Sequence, residues 1–234
     1  MNTEPLDVLV LAAHPDDAEI GCGGTLLALR AAGRRFGIAD MTEGEKGTAG
    51  TVESRRTECA AATRLLGDPP RINLKLPDTA LRDDDQALAA VVGVIRALRP
   101  RVLLAMVPHD VHPDHVATGL VAERAFFHSG LVNYRADLGA PFRPERLVQY
   151  LNNDHLEPSF CVDISAYVAD KRALIECYAT QVGGPDTAHF ARKVNPLERI
   201  EARDRYFGIQ TGCRAAEPFM VRGPLRLSGF EPLL

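Results

Sequence analysis

Short apolar runs alternate with longer amphipathic segments along the first half of the chain. Runs of about 4–8 apolar residues between turn-forming residues are typical of buried strands, and a period of about 3.6 is typical of helices. Strands are predicted at residues 6–13, 36–41, 72–76 and 102–106, and helices at residues 18–33, 52–66, 83–98 and about 116–129. Strands joined by helices of this length form right-handed βαβ units, so the pattern predicts a parallel sheet.

The pattern changes after Gly130, where Pro141, Pro144 and Pro158 interrupt it. Further strands are predicted at residues 147–151 and 160–164, helices at 166–180 and 196–207, and an irregular tail rich in Gly and Pro at 212–234. No linker-like segment divides the chain, so we expect one α/β domain over residues 1–234. Residues 1–130 are expected to form a Rossmann-like, doubly wound, mostly parallel sheet with helices on both faces. Residues 131–234 are expected to form a smaller α+β portion that completes the active site.

Composition and charge argue against several classes of protein. The 234 residues are 46% hydrophobic and 25% charged, with a formal net charge of −4. No stripe of lysine and arginine is present to bind nucleic acid, and no run of about 20 apolar residues could cross a membrane. The N-terminal segment lacks the basic region of a signal peptide. We expect a soluble, cytoplasmic protein without nucleic-acid or membrane partners.

The five cysteines do not have the spacing of a disulfide framework or a metal site. Their number is odd, they lie far apart, and no Cys-x-x-Cys pair occurs. Disulfide scaffolds and cysteine zinc sites both need paired, closely defined spacings. We therefore predict free thiols that pack as small apolar residues.

Two similar polar motifs follow predicted strands. His14-Pro15-Asp16-Asp17 comes after the first strand, and His112-Pro113-Asp114-His115 lies in the loop after the fourth. Ligands of open α/β sheets bind at the carboxyl ends of strands, so both motifs lie where a site is expected. Aspartates near a helix N-terminus often only cap the helix, which is the alternative for the first motif taken alone.

Together the motifs offer three histidines and three carboxylates. Imidazole and carboxylate are ligands that zinc prefers, and a catalytic zinc keeps three protein ligands. Such a set leaves one carboxylate as a general base and one histidine as an acid or oxyanion stabiliser. This division of roles suits the hydrolysis of an amide.

The two motifs resemble those of the LmbE-like (PIG-L) zinc deacetylases, whose members carry AHPDD after the first strand and HPDH later. The resemblance covers nearly the whole chain and is closest to the bacillithiol-pathway members, which deacetylate N-acetylglucosaminyl-malate. Supporting segments lie at residues 19–25, 42–45, 50–58, 76–78, 160–165, 201–208 and 216–219.

The resemblance implies a role for each motif residue. His14, Asp17 and His115 correspond to the metal ligands, and Asp16 corresponds to the general base. His112 corresponds to the residue that stabilises the oxyanion and protonates the leaving amine. The implied cofactor is one Zn²⁺ per chain, with another divalent ion such as Fe²⁺ as the alternative. The implied assembly is a homo-oligomer, a trimer or a hexamer.

Three further positions bear on catalysis and substrate recognition. Asp114 is expected to orient His112 and raise its pKa, as a carboxylate partner does. Arg55 corresponds to a substrate contact, and the implied substrate is a GlcNAc conjugate. Val111 stands where many members of the bacillithiol subgroup carry an arginine that could pair with a carboxylate of the substrate.

Other interpretations remain open at this point. The enzyme could deacetylate another GlcNAc conjugate or a chitooligosaccharide, or cleave a different amide. A nucleotide-binding oxidoreductase is disfavoured because Gly21, Gly23 and Gly24 lack the spacing of a dinucleotide loop and fit close helix packing better. A non-catalytic zinc protein has no need of the spare Asp16. Arg203 is either functional or a surface charge of its helix, and His109 has no assigned role.

Overall fold

Seven strands form one mixed sheet in the computed structural model, which describes residues 4–154, 156–183, 195–226 and 229. The order is β3-β2-β1-β4-β5-β7-β6. Neighbours from β3 to β5 are parallel, whereas β7 runs antiparallel to both β5 and β6. The strands are β1 (Val8–Ala12), β2 (Phe36–Asp40), β3 (Arg71–Asn73), β4 (Val102–Met106), β5 (Arg146–Tyr150), β6 (Phe160–Asp163) and β7 (Ala216–Val221).

Seven α-helices in the described residues cover both faces of this sheet. None of them combines the length and hydropathy needed to cross a membrane. They are α1 (Asp17–Ala31), α2 (Val52–Leu65), α3 (Asp85–Leu98), α4 (Pro113–His128), α5 (Val168–Glu176), α6 (Ala179–Val182) and α7 (Pro196–Thr211). Every residue of β1 and β2 is buried, as the continuous apolar runs predict for parallel strands covered on two faces.

The strand order places the candidate site. From β1 the chain moves outward through β2 to β3, and α3 then carries it back to β4 on the opposite side of β1. The chain therefore reverses direction between β1 and β4, and such a switch point leaves a crevice at the carboxyl ends of the two strands. Both histidine motifs follow these two strands.

The predicted α/β fold is confirmed, and the bounds of the first four strands agree to within a few residues. The prediction of an irregular tail from residue 212 is wrong, because Ala216–Val221 forms β7 inside the sheet. Pro218 made this segment look unlike a strand. The ladder to β5 ends at Phe219, so Pro218 has a strand neighbour only on the β6 side and its missing N–H is tolerated.

The single helix predicted at residues 166–180 is also wrong, because a break at Cys177 and Tyr178 separates α5 from α6. The side chain of Tyr178 is fully buried, and its hydroxyl donates to Glu19 Oε1 at 3.0 Å. Burial of this ring and its hydrogen bond favour the break over a continuous helix. All five cysteines are free, as predicted, although only Cys22 is fully buried.

Helix α1 is interrupted at Cys22, whose backbone has φ −143° and ψ 20°. The break exposes the N–H groups of Gly24 and Thr25, which donate to the two oxygens of Glu217 on β7 at 2.8 and 2.7 Å. Lys171 on α5 lies 2.7 Å from Glu217 and balances its charge. The C-terminal portion thus caps a helix of the N-terminal half inside the core.

Glycine lets α1 approach these C-terminal elements closely. A Cβ atom on Gly24 would lie 2.7 Å from Ile164, and one on Gly21 would lie 2.2 Å from the Tyr150 ring. Gly23 has room for a Cβ at ordinary contact distance. Gly21 and Gly24 therefore serve helix packing, as expected from the sequence.

Replacing Glu217 by glutamine should destabilise the protein. An amide nitrogen cannot accept from a backbone N–H, and Lys171 would lose one of its two carboxylate partners. We expect Glu217→Gln to lower the free energy of unfolding by about 3 kcal/mol, the lower end of the scale for breaking a buried ion pair. Denaturant unfolding of the metal-free protein measures this change. Glu145→Gln, in an exposed pair with Arg101, is the matched control and should be silent. Equal stability of the two variants would contradict the proposed cap.

Candidate active site

The turn between β1 and α1 presents His14 and Asp17 on the floor of a crevice. The His14 N–H donates to Asp17 Oδ2 at 2.8 Å, and the Asp17 N–H donates to the carbonyl of His14 at 3.3 Å. This pair of backbone contacts fixes the Asp17 carboxylate beside the His14 ring. Both residues are buried, with 8% and 4% of their surface exposed.

Asp16 lies at the N-cap position of α1 but does not cap the helix, since its side chain makes no cap hydrogen bond. Its backbone has φ 131°, a strained conformation for a residue other than glycine. The carboxylate instead lies 3.3 Å from Arg55 Nη1. Burial raises the pKa of Asp16 to about 7, and the charge of Asp17 adds to this, while Arg55 opposes it. The capping alternative considered for this motif therefore does not describe Asp16.

The second motif opens α4. His112 is the N-cap residue with an extended backbone, and Pro113 occupies the first helical turn. The His112 Nδ1 atom accepts the backbone N–H of Asp114 at 3.2 Å. His115, in the first turn of α4, is 5% exposed. The rings of His14, His112 and His115 lie close together, with centroids 4.6–5.6 Å apart.

The structure brings His14, Asp17 and His115 together as one of two groups among the described residues that could hold a metal ion. Asp17 lies between the two histidines, 3.2 Å from His14 Nδ1 and 3.2 Å from His115 Nε2. Ligand atoms bound at about 2.0–2.1 Å to a tetrahedral zinc ion lie about 3.3 Å apart, so these separations fit such an ion. The candidate ligand atoms all lie within 4.8 Å of one another.

The other ring nitrogen of each histidine faces carboxylates. His14 Nε2 lies 3.2 Å from Asp78 and 3.3 Å from Asp114. His115 Nδ1 lies 3.2 Å from Asp110. Carboxylate–histidine pairs of this kind orient metal-binding imidazoles and increase their basicity. The arrangement therefore supports a metal site in which one nitrogen of each ring binds the ion and the other is anchored.

The same carboxylates make the site favourable for positive charge. Burial lowers the pKa of both histidines, but hydrogen bonds and charges from their aspartate partners outweigh it. The pKa of His115 rises to about 9, and that of His14 rises well above its ordinary value. Burial raises the pKa of Asp17, but His115 and His14 lower it by more, so the pKa of this carboxyl lies well below its ordinary value. A divalent ion can replace protons in such a site.

The expectation that the Asp114 carboxylate orients His112 is wrong, and the expected net rise in the pKa of His112 does not occur. Asp114 Oδ2 accepts the N–H of Thr79 at 2.7 Å and faces His14, so the side chain supports the other histidine. Asp114 contacts His112 only through its backbone N–H. Burial lowers the pKa of His112, and the charges of His115 and His14 lower it further, which outweighs the effect of Asp114.

The second group that could hold a metal consists of His14, His112 and Asp114. It shares His14 with the first group. Its Asp114 oxygen already accepts the Thr79 N–H, and His112 is only half-buried. The fully buried group around Asp17 is therefore the better metal site.

Residues to which the sequence analysis gave no role come from the loop of the second motif and from two other loops. Asp78 follows β3, Asp110 follows β4, and Asn152 and Asn153 follow β5. Asn152 Nδ2 donates to Asp17 Oδ1 at 2.9 Å, and Asn153 Nδ2 donates to Asp110 at 2.8 Å. All of them follow the carboxyl end of a strand, which is the signal that identified the histidine motifs and could have identified these residues too.

A cavity of about 570 Å³ opens above these groups. Its floor contains His14 and Asp17, the metal-binding candidates of the first motif, and also Asp16 and His112. Apolar side chains line another part of its wall, together with the cations Lys46 and Arg199. The apolar residues that line it are Ile20, Val111, Val182, Pro196 and Ile200.

Arg55 lies deep in this cavity rather than on the surface of α2. Its side chain is 5% exposed, and its guanidinium packs against Gly44, where a Cβ atom would lie 2.6 Å from Nη2. Nε has no hydrogen-bond partner among the described residues. Arg55 can therefore contact the part of a substrate that lies next to Asp16.

Arg203 and His109 do not line the cavity. Arg203 is buried, and its guanidinium donates to the carbonyls of Leu151 at 2.9 Å and Ile20 at 2.7 Å. It is therefore not a surface charge of its helix. His109 is exposed and pairs with Asp154 at 2.9 Å.

Comparison with known proteins relates the chain to enzymes that act on GlcNAc derivatives. A family model described as "PIG-L: GlcNAc-PI de-N-acetylase" matches residues 9–126, which include both motifs. The diacetylchitobiose deacetylase of Thermococcus kodakarensis is 30% identical over 223 residues, covering 90% of this chain and 80% of the relative. The 1D-myo-inositol 2-acetamido-2-deoxy-alpha-D-glucopyranoside deacetylase of Nocardia farcinica is 24% identical, covering 88% and 91%.

Solved structures share the whole fold. A conserved protein of Thermus thermophilus is 40% identical, with a TM-score of 0.87 and coverage of 97% of this chain and 99% of that one. The N,N'-diacetylchitobiose deacetylase of Pyrococcus horikoshii, complexed with its inhibitor MPG, is 26% identical, with a TM-score of 0.82 and coverage of 97% and 88%. A 4-carboxy-2-hydroxymuconate hydratase of Pseudomonas putida is 19% identical with a TM-score of 0.77 and coverage of 95% and 98%, which shows the fold alone.

The geometry predicts about one divalent ion per chain, bound through His115 together with His14 and Asp17. His115→Ala removes one ligand and should lose nearly all bound metal on metal analysis after dialysis. His128→Ala is the matched control, because His128 also lies on α4 but hydrogen-bonds to the Arg124 carbonyl outside the cavity. If His115→Ala keeps stoichiometric metal while folded, the ligand assignment is wrong.

Proposed function

Because the chain belongs to the PIG-L family of de-N-acetylases, we propose that it removes the N-acetyl group of a GlcNAc conjugate, with a divalent metal ion held by His14, Asp17 and His115. Family membership makes it an enzyme that hydrolyses an amide bond. The observation that carries the proposal is the convergence of this metal group with Asp16 and His112 on the floor of one cavity. A nucleotide-binding oxidoreductase has no support, since the histidine motif occupies the first βα turn.

The metal, most simply Zn²⁺, would supply Lewis acidity that activates water and polarises the acetamide carbonyl. Asp16 is the candidate general base because its carboxylate is largely buried and reaches the cavity beside Asp17. A pKa near 7 suits a group that must take up a proton and release it at neutral pH. Arg55 holds the Asp16 carboxylate in place through their contact at 3.3 Å.

His112 is the candidate donor to the oxyanion. Its Nδ1 accepts the Asp114 N–H, so in the neutral ring the proton lies on Nε2. An Nε2–H that points into the cavity can donate to the developing negative charge, an effect worth about 2.7–4 kcal/mol for one such donor. Return of the proton from Asp16 to the leaving nitrogen as the C–N bond breaks completes the release of the free amine and acetate.

For the substrate, we propose GlcNAc-malate of the bacillithiol pathway. The sequence resemblance supports this choice, and the cations Lys46 and Arg199 in the cavity wall are compatible with an acidic aglycone. Arg55 is better suited to the sugar, because it lies next to Asp16 on the cavity floor.

A chitooligosaccharide is the second candidate. Relatives named diacetylchitobiose deacetylase favour it, as does Val111, whose side chain is exposed in the cavity wall. The apolar side chains beside Val111 could pack against the face of a second sugar ring. A panel of GlcNAc, GlcNAc-malate and diacetylchitobiose, assayed for release of free amine, separates the two candidates and tests the deacetylase activity itself.

The first prediction from this mechanism concerns the base. Asp16→Asn keeps the size of the side chain and removes the carboxylate that would accept the proton. We expect kcat to fall at least about 10²-fold, the scale of general base catalysis, with the metal retained. Asp154→Asn removes another carboxylate from the cavity wall and should keep the wild-type kcat. Loss of metal from Asp16→Asn would show that Asp16 is a ligand rather than the base.

The second prediction concerns Arg55. If Arg55 contacts the sugar, Arg55→Ala should lower kcat/KM for GlcNAc and for GlcNAc-malate by the same factor. If Arg55 instead binds the malate carboxylate, the loss of kcat/KM should be larger for GlcNAc-malate than for GlcNAc. The difference should be about 1.5–3 kcal/mol, the scale of a charge-assisted hydrogen bond. The structure of the cavity leads us to expect equal losses. Arg56→Ala, the neighbouring exposed arginine, is the control and should change neither value.

A further inference from the structure

Asn152 touches the central carboxylate of the candidate metal site without lining the cavity. Its side chain is buried in the loop after β5, and Nδ2 donates to Asp17 Oδ1 at 2.9 Å. The opposite amide orientation would set Oδ1 against a carboxylate oxygen that carries no hydrogen, so the nitrogen must face Asp17. Asp17 Oδ1 is also the oxygen that lies 3.2 Å from His115.

The amide oxygen of Asn152 has no hydrogen-bond partner within the described chain. A buried polar atom without a partner is costly and requires an explanation. An apolar residue would avoid this cost if the position served packing alone. The contact from Nδ2 to Asp17 supplies a reason for asparagine here.

Arg203 on α7 holds the Asn152 loop in place. Its Nη1 donates to the carbonyls of Leu151 at 2.9 Å and of Asn152 at 3.4 Å. Asp204 fixes the same guanidinium through contacts to Nε at 3.0 Å and Nη2 at 2.8 Å, and Lys171 in turn pairs with Asp204. The buried ionic network of the C-terminal portion therefore reaches the backbone of Asn152, whose side chain contacts Asp17.

We propose that Asn152 is a positioning residue for the metal centre, and that Arg203 acts through it. The proposal rests on the proposed role of Asp17 as a metal ligand. The His14 N–H holds Oδ2 of the Asp17 carboxylate, and the neutral Asn152 donor holds Oδ1, the oxygen that faces His115, without cancelling the negative charge that the ion needs. Loss of this donor leaves the carboxylate held only through Oδ2, so Oδ1 can turn away from His115 and from the arrangement that binds metal.

Metal affinity, measured by competition with a chromogenic chelator, tests the role of Asn152. Asn152→Leu keeps the branched skeleton of the side chain and removes the donor. We expect the Kd for Zn²⁺ to rise about 10- to 100-fold, as is typical when an outer partner of a metal ligand is lost. Substitution of Co²⁺ should show a changed visible absorption spectrum, since that spectrum reports ligand geometry. Asn133→Leu, at an exposed asparagine, is the matched control.

Thermal unfolding in the presence of a chelator separates positioning from folding. We expect metal-free Asn152→Leu to unfold close to the wild-type temperature, and Asn152→Ala replaces it in the assay if it does not fold. A wild-type Kd together with a wild-type Co²⁺ spectrum in the folded variant overturns the proposal.

The part played by Arg203 is tested by combining variants. Arg203→Lys keeps the charge but loses the fork that holds the two carbonyls, so it should also raise the Kd for Zn²⁺. If it acts through Asn152, the double variant with Asn152→Leu should bind metal no more weakly than Asn152→Leu alone. Additive losses overturn this link. Arg205→Ala, an exposed arginine of the same helix, should leave the Kd unchanged.

Failure of this inference can be told apart from failure of the proposed function. Asp17→Asn should lose metal if Asp17 is a ligand, whatever the role of Asn152. Loss of metal from Asp17→Asn with normal binding by Asn152→Leu overturns only the positioning role. Retention of metal by Asp17→Asn overturns the ligand assignment on which both proposals depend.

Discussion

The position of Asp17 between His14 and His115 is the constraint on which the rest of the site depends. One carboxylate lies 3.2 Å from a ring nitrogen of each histidine, although the histidines belong to motifs that are separated by about half of the chain. This contact is available only because β1 and β4 are neighbours in the sheet and their carboxyl ends form the crevice of a topological switch point. The strand order thus converts two distant motifs into a single buried group of three potential ligands.

Burying so many charged groups requires a partner for each of them. Asp78, Asp110 and Asp114 anchor the far side of the two histidines, and Asn152 donates to Asp17. The same rule applies farther from the cavity. Glu217, Lys171, Asp204 and Arg203 form a connected network that joins β7, α5 and α7 to the break in α1. Buried charges are tolerated only when paired and hydrogen-bonded, so this network joins the C-terminal portion to α1, the helix that follows the first motif.

The sequence predicts those parts of the structure that depend on local pattern. Apolar periodicity places the first four strands, and the two motifs place His14, Asp16, Asp17, His112 and His115 at one edge of the sheet. It does not predict pairings between segments that are distant in sequence. The Asp114 carboxylate was expected to act on His112, its near neighbour, but it supports His14, one hundred residues away. Strand β7 was missed because proline usually interrupts a strand. Pro218 is tolerated here because the ladder between β7 and β5 ends at Phe219.

The cavity separates the determinants of the reaction from those of the substrate. Its floor carries the candidate metal group with Asp16, His112 and Arg55, which are held by contacts to other elements, so a change there is expected to alter the chemistry or the fold. The wall that contains Val111 and Lys46 is different, because both residues are exposed and neither side chain supports another part of the described structure through a hydrogen bond or an ion pair. Substitutions in this wall can change which aglycone fits without disturbing the ligands below. It follows that the family motifs on the floor identify the bond that is cleaved, whereas the identity of the conjugate depends on side chains that those motifs do not include.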